Sequence, residues 1–380
     1  MTKPFSHTIL HLAAVEFTAI KLLKPQLEAL QERGFDIRVG CQPGPNGFDQ
    51  TLEQFRPVNV DFPRRLDPVA TLQASRRLVK VLSDMRPAAV HLHTPAVALP
   101  FRCIPHHFFP PGMKVFYTVH GFAHLWNTGK PKDIVLERIE RTLAHRTDLM
   151  LFQSYEDFEN VQVLHYRTHL EYLGNGVGDE WFAIPPMPPR NGRLKALFVG
   201  RLIGEKGIID LLEALVNLPD VELTVVGAQL PSDRGGVAAQ VAELVGKEAL
   251  KGRVRCTGMI SQEQLLKQML STDLVVLPSY REGVPRSLIE GMAAGRPLLA
   301  TDTRGCRELI SEGVNGFLVP VARPDLLAQA IRKFVSLSPE VFAAMGVASK
   351  ERALASHHEQ MIFDRLVSAY AGEDMHPRDA

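Results

Sequence analysis

Leu194-Lys195-Ala196-Leu197-Phe198-Val199 runs directly into Gly200-Arg201-Leu202-Ile203-Gly204-Glu205-Lys206-Gly207, and then into the apolar stretch Ile208–Asn217. A short apolar run, a turn holding three glycines and two cations, and a helix-like segment read as strand, turn and helix. Glycines in such a turn let backbone N–H groups approach an anion, and the following helix N-terminus adds positive potential. Arg201 and Lys206 would complete a diphosphate site; a tight turn with two solvated cations fits the same residues.

The alternation continues on both sides. Downstream, Glu222–Val226, Val254–Cys256, Asp273–Leu277, Pro297–Ala300 and Gly316–Val319 read as strands. Between and after them, helices are expected near Val237–Leu250, Gln262–Leu270, Ser287–Ala294, Arg323–Ser336 and Pro339–Tyr370, the last long or broken. Upstream, His7–Leu12, Phe35–Val39, Ala89–His93, Val115–Val119, Leu149–Phe152 and Leu170–Leu173 read as strands. The helices there are Thr18–Gln31 (bent or restarted at Pro25), Val69–Met85 and Asp133–Ala144. Ala183–Gly192, AIPPMPPRNG, is too rich in proline for either element and reads as a connector. The fold class is therefore α/β with two doubly wound, Rossmann-like domains, 1–185 and 186–354. Parallel sheets of this kind bind ligands beyond the carboxyl ends of their strands.

Length and composition agree. The 380 residues suit two domains, and 45% hydrophobic with 22% charged residues is ordinary globular composition. A formal net charge of +1 gives no global grip on a polyanion, so no nucleic-acid partner is expected. Cys41, Cys103, Cys256 and Cys306 form no paired motif, which fits a reducing cytoplasm. No apolar run approaches a membrane span, and His7, His11 and Glu16 interrupt any signal-peptide core.

Ser279–Pro297, SYREGVPRSLIEGMAAGRP, carries the sharpest chemistry. Glu282 falls in a loop after a strand, Pro285 suits a first helical turn, and Glu290 lies within the helix. Two carboxylates so placed, one at the mouth and one about a turn inside, can accept hydrogen bonds from a polyhydroxylated ligand.

The Glu282…Glu290 spacing, the downstream Gly305–Pro320 run GCRELISEGVNGFLVP and the Gly200–Gly207 turn resemble the retaining glycosyltransferases of family 4. The resemblance is strongest from Val199 to Pro320. It implies a GT-B fold with an acceptor-binding first domain and a nucleotide-sugar-binding second domain facing a cleft, and a C-terminal helix, at about 355–375, returning to the first domain. It implies no metal and no cofactor, the nucleotide sugar being a co-substrate. Arg201 and Lys206 match the positions that neutralise the donor diphosphate. Glu290 matches the ribose-binding position, and Glu282, within Glu282-Gly283-Val284-Pro285, matches the position beside the transferred sugar. His120, in Tyr117-Thr118-Val119-His120-Gly121, matches a histidine close to that sugar. Family frequency favours a UDP-sugar. Three departures stand out: Ala13–Phe17 lacks the usual glycines, Asp179 is one place late after Asn175-Gly176-Val177-Gly178, and Gly227-Ala228 keeps one glycine of two.

A GT-B epimerase, a transferase with a soluble acceptor and a nucleotide-sugar-binding scaffold are the alternatives; no GxGxxG follows the first strand to suggest a dehydrogenase. His91 and His93 share a strand face, where a core strand or a metal site fits, and His106-His107 reads as loop. Residues 62–102 hold Arg64, Arg65, Arg76, Arg77, Lys80, Arg86 and Arg102 against Asp67 and Asp84, and Phe108–Met113 is apolar. These residues suggest peripheral attachment to an anionic inner-leaflet surface and a lipid-linked saccharide acceptor; a solvated helix and a packed loop fit equally.

Overall fold

The computed structural model describes residues 8–44, 46–63, 67–121, 131–187, 192–229, 233 and 235–372. The chain divides into two units, Met1–Leu173 with Phe363 onward, and Gly174–Ile362. Each has its own apolar core.

The first unit is built on a seven-stranded sheet: β1 (Thr8–Val15), β2 (Asp36–Gln42), β3 (Val58–Asn59), β4 (Ala89–Leu92), β5 (Lys114–Val119), β6 (Leu149–Phe152) and β7 (His169–Tyr172). Their order is β3-β2-β1-β4-β5-β6-β7, with parallel pairing throughout. The second unit repeats the scheme with β8 (Leu194–Val199), β9 (Val221–Val226), β10 (Val254–Gly258), β11 (Leu274–Leu277), β12 (Leu298–Thr301) and β13 (Gly316–Val319), ordered β10-β9-β8-β11-β12-β13. In both, the order reverses beside the first strand, which is the doubly wound arrangement. Strands such as Leu274-Val275-Val276-Leu277 are buried along their whole length, because helices cover both faces of a parallel sheet.

Local chemistry sets the helix starts. The Asp67 carboxylate accepts from the Ala70 amide at 2.9 Å and Pro68 occupies the first turn of Pro68–Met85. Ser261 and Gln264 form a reciprocal capping box on Gln262–Leu270. The Thr18–Gln31 expectation resolves into Glu16–Thr18, a π-helical segment Ala19–Leu23 and Lys24–Glu32, restarting at Pro25. Pro339–Tyr370 is broken at His357-His358 into Pro339–Ser356 and Glu359–Ala371.

Some expectations need correction. Ala13 and Ala14 are not loop but the buried end of β1, which runs on to Val15. Helices Pro95–Cys103, Tyr155–Val163 and Arg304–Leu309 were not anticipated; the first holds Pro100 inside it, which reads as a breaker in sequence. His106–Phe108 is a short 3-10 turn. The division at Leu173/Gly174 precedes the Pro-rich segment, because residues 174–182 pack on the second unit. Val177 donates to the His357 carbonyl and accepts from the Glu359 amide, each at 3.0 Å, and Trp181 is fully buried in the second core. Arg102 does not belong to a basic surface: it is 0% exposed and its guanidinium meets Glu140 at 2.6 Å. Arg64 and Arg65 lie outside the described residues. No helix among the described residues is long and apolar enough to cross a membrane.

The Arg102–Glu140 pair ties helix Pro95–Cys103 to helix Pro131–Ala144, with the guanidinium also 4.9 Å over the Tyr117 ring. Removing one partner of such a pair leaves an uncompensated buried charge. Glu140→Ala is therefore expected to lower unfolding free energy by about 3–5 kcal/mol in urea titration, and a change under 1 kcal/mol would contradict the burial.

Candidate functional site

In the second unit the selected residues lie on loops at the carboxyl ends of β8 and β11 and on the helix after β11. These loops are stitched together. Tyr280 donates its amide to the Glu205 carbonyl at 2.8 Å and its hydroxyl to Asp210 at 2.9 Å. Arg281 reaches Glu205 at 3.4 Å. Lys206 Nζ meets Glu282 Oε1 at 2.5 Å, with the side chains only 21% and 10% exposed.

The glycines permit backbone contacts that side chains would block. A Cβ on Gly207 would lie 1.9 Å from the Pro278 carbonyl oxygen, and its φ of +66° also favours glycine. A Cβ on Gly305 would lie 1.1 Å from the Gly283 carbonyl oxygen. Gly283 thus rests against the start of helix Arg304–Leu309. The Val284 carbonyl accepts from the Asn175 side-chain amide at 3.2 Å. Pro285 stands as the N-cap, one place before the helix Arg286–Ala293, and its carbonyl takes the Leu288 and Ile289 amides.

Every charge singled out in this unit has a counter-charge. Arg201 meets the buried Asp233 at 2.5 Å, Lys206 meets Glu282, and Arg286 Nε meets Glu290 Oε1 at 3.3 Å, one helical turn apart. Lys206 is therefore not a solvated cation, which was one of the two readings that the sequence allowed. Burial raises the Glu290 carboxyl to about 7, against the downward pull of Arg286. Ser279 Oγ and Thr303 Oγ1, also just after β11 and β12, are buried polar atoms with no hydrogen-bond partner. Asp233 and Asn175 were missed as contributors. Asp233 sits in an irregular loop, and only its three-dimensional partner marks it; Asn175 was visible as a motif residue without a role.

His120 belongs to the first unit, directly after β5. Its Nδ1 lies 2.9 Å from Gln153 Oε1, which sits just past β6, and Nε2 is buried with no partner. Burial lowers the imidazole to about 4, so His120 is neutral. Below it, His11, His91 and His93 share one face of β1 and β4 and approach within 4.8 Å of one another, close enough to hold a metal ion. In this structure hydrogen bonds engage their ring nitrogens instead, save His93 Nδ1.

The first unit also carries a cavity of about 680 Å³ between helix Pro68–Met85 and the end of helix Pro95–Cys103. Leu72, Val79, Ile104 and Phe108 line it, with Arg76 at its wall. This brings the basic helix and the apolar loop singled out in the sequence onto one surface. Arg77, however, pairs with Asp61 at 3.7 Å.

Comparison with known proteins follows the same division. Residues 23–176 match the family model for the glycosyl transferase 4-like domain, and residues 179–352 that for glycosyl transferases group 1. A Bacillus subtilis (strain 168) protein carried under the name glycosyltransferase EpsD is 26% identical over 388 residues, covering 96% of this chain and 97% of its own. Among solved structures, sucrose-phosphate synthase from Thermosynechococcus elongatus superposes with a TM-score of 0.81 at 19% identity, covering 96% of this chain and 98% of its own. Anabaena HepE, solved with UDP-glucose, gives 0.75 at 19% identity, covering 96% and 100%. The fold is accordingly GT-B.

The Glu290 carboxyl yields a signed test. Its folded value of about 7 lies above the ordinary carboxylate value, so the folded chain holds a proton that the unfolded chain releases in between. This group's contribution to stability is complete below the ordinary value and is lost as pH rises through about 7. Glu290→Gln is expected to flatten the fall in Tm between roughly pH 5 and 8; an unchanged pH profile would contradict the assignment.

Proposed function

As the chain belongs to the group 1, 4-like glycosyltransferases, we propose that it moves a hexose-type sugar from a nucleotide-diphosphate sugar, a UDP-sugar, to an acceptor hydroxyl with retention at the anomeric carbon. The observation that carries this reading is the set of Arg201, Lys206, Glu282 and Glu290 gathered on two stitched loops and one helix at the carboxyl edge of a doubly wound sheet. HepE, with its bound UDP-glucose, supports the choice of nucleotide.

On this reading an arriving diphosphate competes with Asp233 for Arg201 and gives Lys206 a second anionic partner. The acceptor oxygen forms its bond to the anomeric carbon as the bond to the phosphate oxygen breaks. The departing diphosphate takes the acceptor proton on the same face, so the configuration is kept. Arg201 and Lys206 stabilise the charge that grows on the leaving group, and no divalent ion is required. Glu290 accepts from the ribose hydroxyls, while Glu282 and His120 orient the transferred sugar.

Lys206→Ala is expected to weaken UDP binding and to lower kcat, because its charge matters more as the leaving group departs. Glu290→Gln should chiefly raise the donor KM. Transfer should persist in EDTA. Unchanged turnover in Lys206→Ala, isomerised donor in place of transfer, or full loss on chelation restored by Mg²⁺ would overturn the reading.

The acceptor we propose is a lipid-linked saccharide of cell-surface polysaccharide assembly, met by a cytoplasmic enzyme on an anionic membrane surface. The cavity lined by Leu72 and Phe108 beside Arg76 supports it: an apolar surface with a cation suits a lipid chain near an anionic head group. The chain should float with vesicles containing anionic lipid at low salt, and Leu72→Glu with Phe108→Asp should abolish flotation. Absence of flotation together with efficient transfer to a soluble acceptor alone would overturn it.

A further inference from the structure

At the carboxyl edge of the first sheet, three polar atoms of neighbouring segments have no hydrogen-bond partner and are buried: His93 Nδ1, Thr94 Oγ1 and His120 Nε2. His93 and Thr94 directly follow β4, His120 directly follows β5, and the two strands are paired. The His93 and His120 rings lie 5.7 Å apart and are tilted by 43°. Leaving a buried polar atom unpaired is costly, so such a concentration at a strand edge calls for a partner.

Thr94 is unusual for its place. It is the N-cap of helix Pro95–Cys103, where a threonine hydroxyl ordinarily takes an amide of the first turn. Here the Val97 and Ala98 amides go to the Thr94 carbonyl, and the hydroxyl caps nothing.

The histidines behind this edge set the chemistry that it offers. His91 Nε2 contacts Thr118 Oγ1 at 2.7 Å and His91 Nδ1 contacts Tyr370 Oη at 2.6 Å. Tyr370 Oη contacts His11 Nε2 at 3.4 Å, and His11 Nδ1 contacts His93 Nε2 at 2.9 Å. Burial holds His11, His91 and His93 neutral, so each carries one N–H. These contacts link the three rings through Tyr370, and the one ring nitrogen they leave without a partner is His93 Nδ1. His120 Nε2 presents a lone pair, because its Nδ1–H donates to Gln153 Oε1.

Two neutral imidazoles and one hydroxyl offer an anion no charge and suit hydroxyl groups, which both donate and accept. We propose that His93, Thr94 and His120 form a hydroxyl-recognition subsite that binds a saccharide, with His93 and Thr94 as specificity-determining residues beside His120. The assignment rests on the glycosyltransfer reading above and names a further part of the same machinery.

The test uses the full chain. Thr94→Val keeps the shape and removes the hydroxyl; Thr94→Ser restores it. A parallel pair, His93→Ala and His93→Asn, removes the polar group or returns an amide near the Nδ1 position. Steady-state KM for the UDP-sugar and for the saccharide acceptor is measured with the UDP Kd as control. Thr94→Val and His93→Ala are expected to raise one saccharide KM by about tenfold, the worth of a neutral hydrogen bond, with UDP affinity unchanged. Thr94→Ser and His93→Asn should recover most of it. A rise confined to the UDP-sugar assigns the subsite to the transferred sugar, and a rise confined to the acceptor assigns it to the acceptor; both support the subsite. Saccharide KM values unchanged in Thr94→Val and His93→Ala would overturn it. So would one tightly held transition-metal ion per purified chain that His11→Ala releases, because metal binding would break the chain of hydrogen bonds that fixes His93. Failure of the unaltered chain to bind UDP would instead count against the donor reading.

Discussion

Lys206 and Glu282 meet at 2.5 Å where little water reaches either, and the candidate site of the second unit is arranged about that contact. Withdrawing an ammonium and a carboxylate from water costs nearly as much as their attraction returns, so the pair contributes little to net stability. Its consequence is positional. It holds the turn after β8 against the loop after β11, as do the Tyr280–Asp210 and Tyr280–Glu205 hydrogen bonds. The backbone must come equally close: Gly207 lies against Pro278 and Gly305 against Gly283, at distances no side chain would tolerate. Charge pairing and missing side chains thus serve one end, bringing two loops from separate strands within reach of one ligand.

The two units offer different chemistry at the same edge of the same kind of sheet. In the second, Arg201, Lys206 and Glu282 are ionic groups already matched by opposite charges, so a charged ligand exchanges partners and need not face bare charges. In the first, burial keeps His11, His91, His93 and His120 neutral, and hydrogen bonds engage their rings. A diphosphate suits the former and an uncharged hydroxyl the latter. That contrast follows from desolvation: a charge without a partner cannot stay buried, whereas an imidazole can shed its proton and remain.

Much of this was legible in the chain itself. Strands such as Leu194–Val199 and Leu149–Phe152 match the sequence reading residue for residue, because unbroken apolar runs between turn residues leave few alternatives. Helix Pro95–Cys103 was not legible: Pro95 and Pro100 read as breaks, yet Pro95 occupies the first turn and the helix tolerates Pro100. Arg102 reads as a surface cation for the same reason, since nothing local announces Glu140 thirty-eight residues away. Of the candidate site, the residue types and their place after strands were readable, while their pairing was not. Lys206 and Glu282 are seventy-six residues apart, and nothing in either motif says that each answers the other.

The histidines show where pattern ends and structure begins. Alternation along β4 puts His91 and His93 on one face, and the parallel register sets His11 opposite His91. Those facts alone allow either a metal site or a packed core. The difference lies in Tyr370, which comes from the last helix, 279 residues beyond His91 in the chain. Its hydroxyl lies between His91 Nδ1 and His11 Nε2, and His11 Nδ1 in turn meets His93 Nε2, so His93 Nδ1 is the ring nitrogen left without a partner. A side chain near one end of the chain therefore takes part in the hydrogen bonding behind a strand edge near the other end. That relation exists only because the C-terminal helix closes over the face of the first sheet.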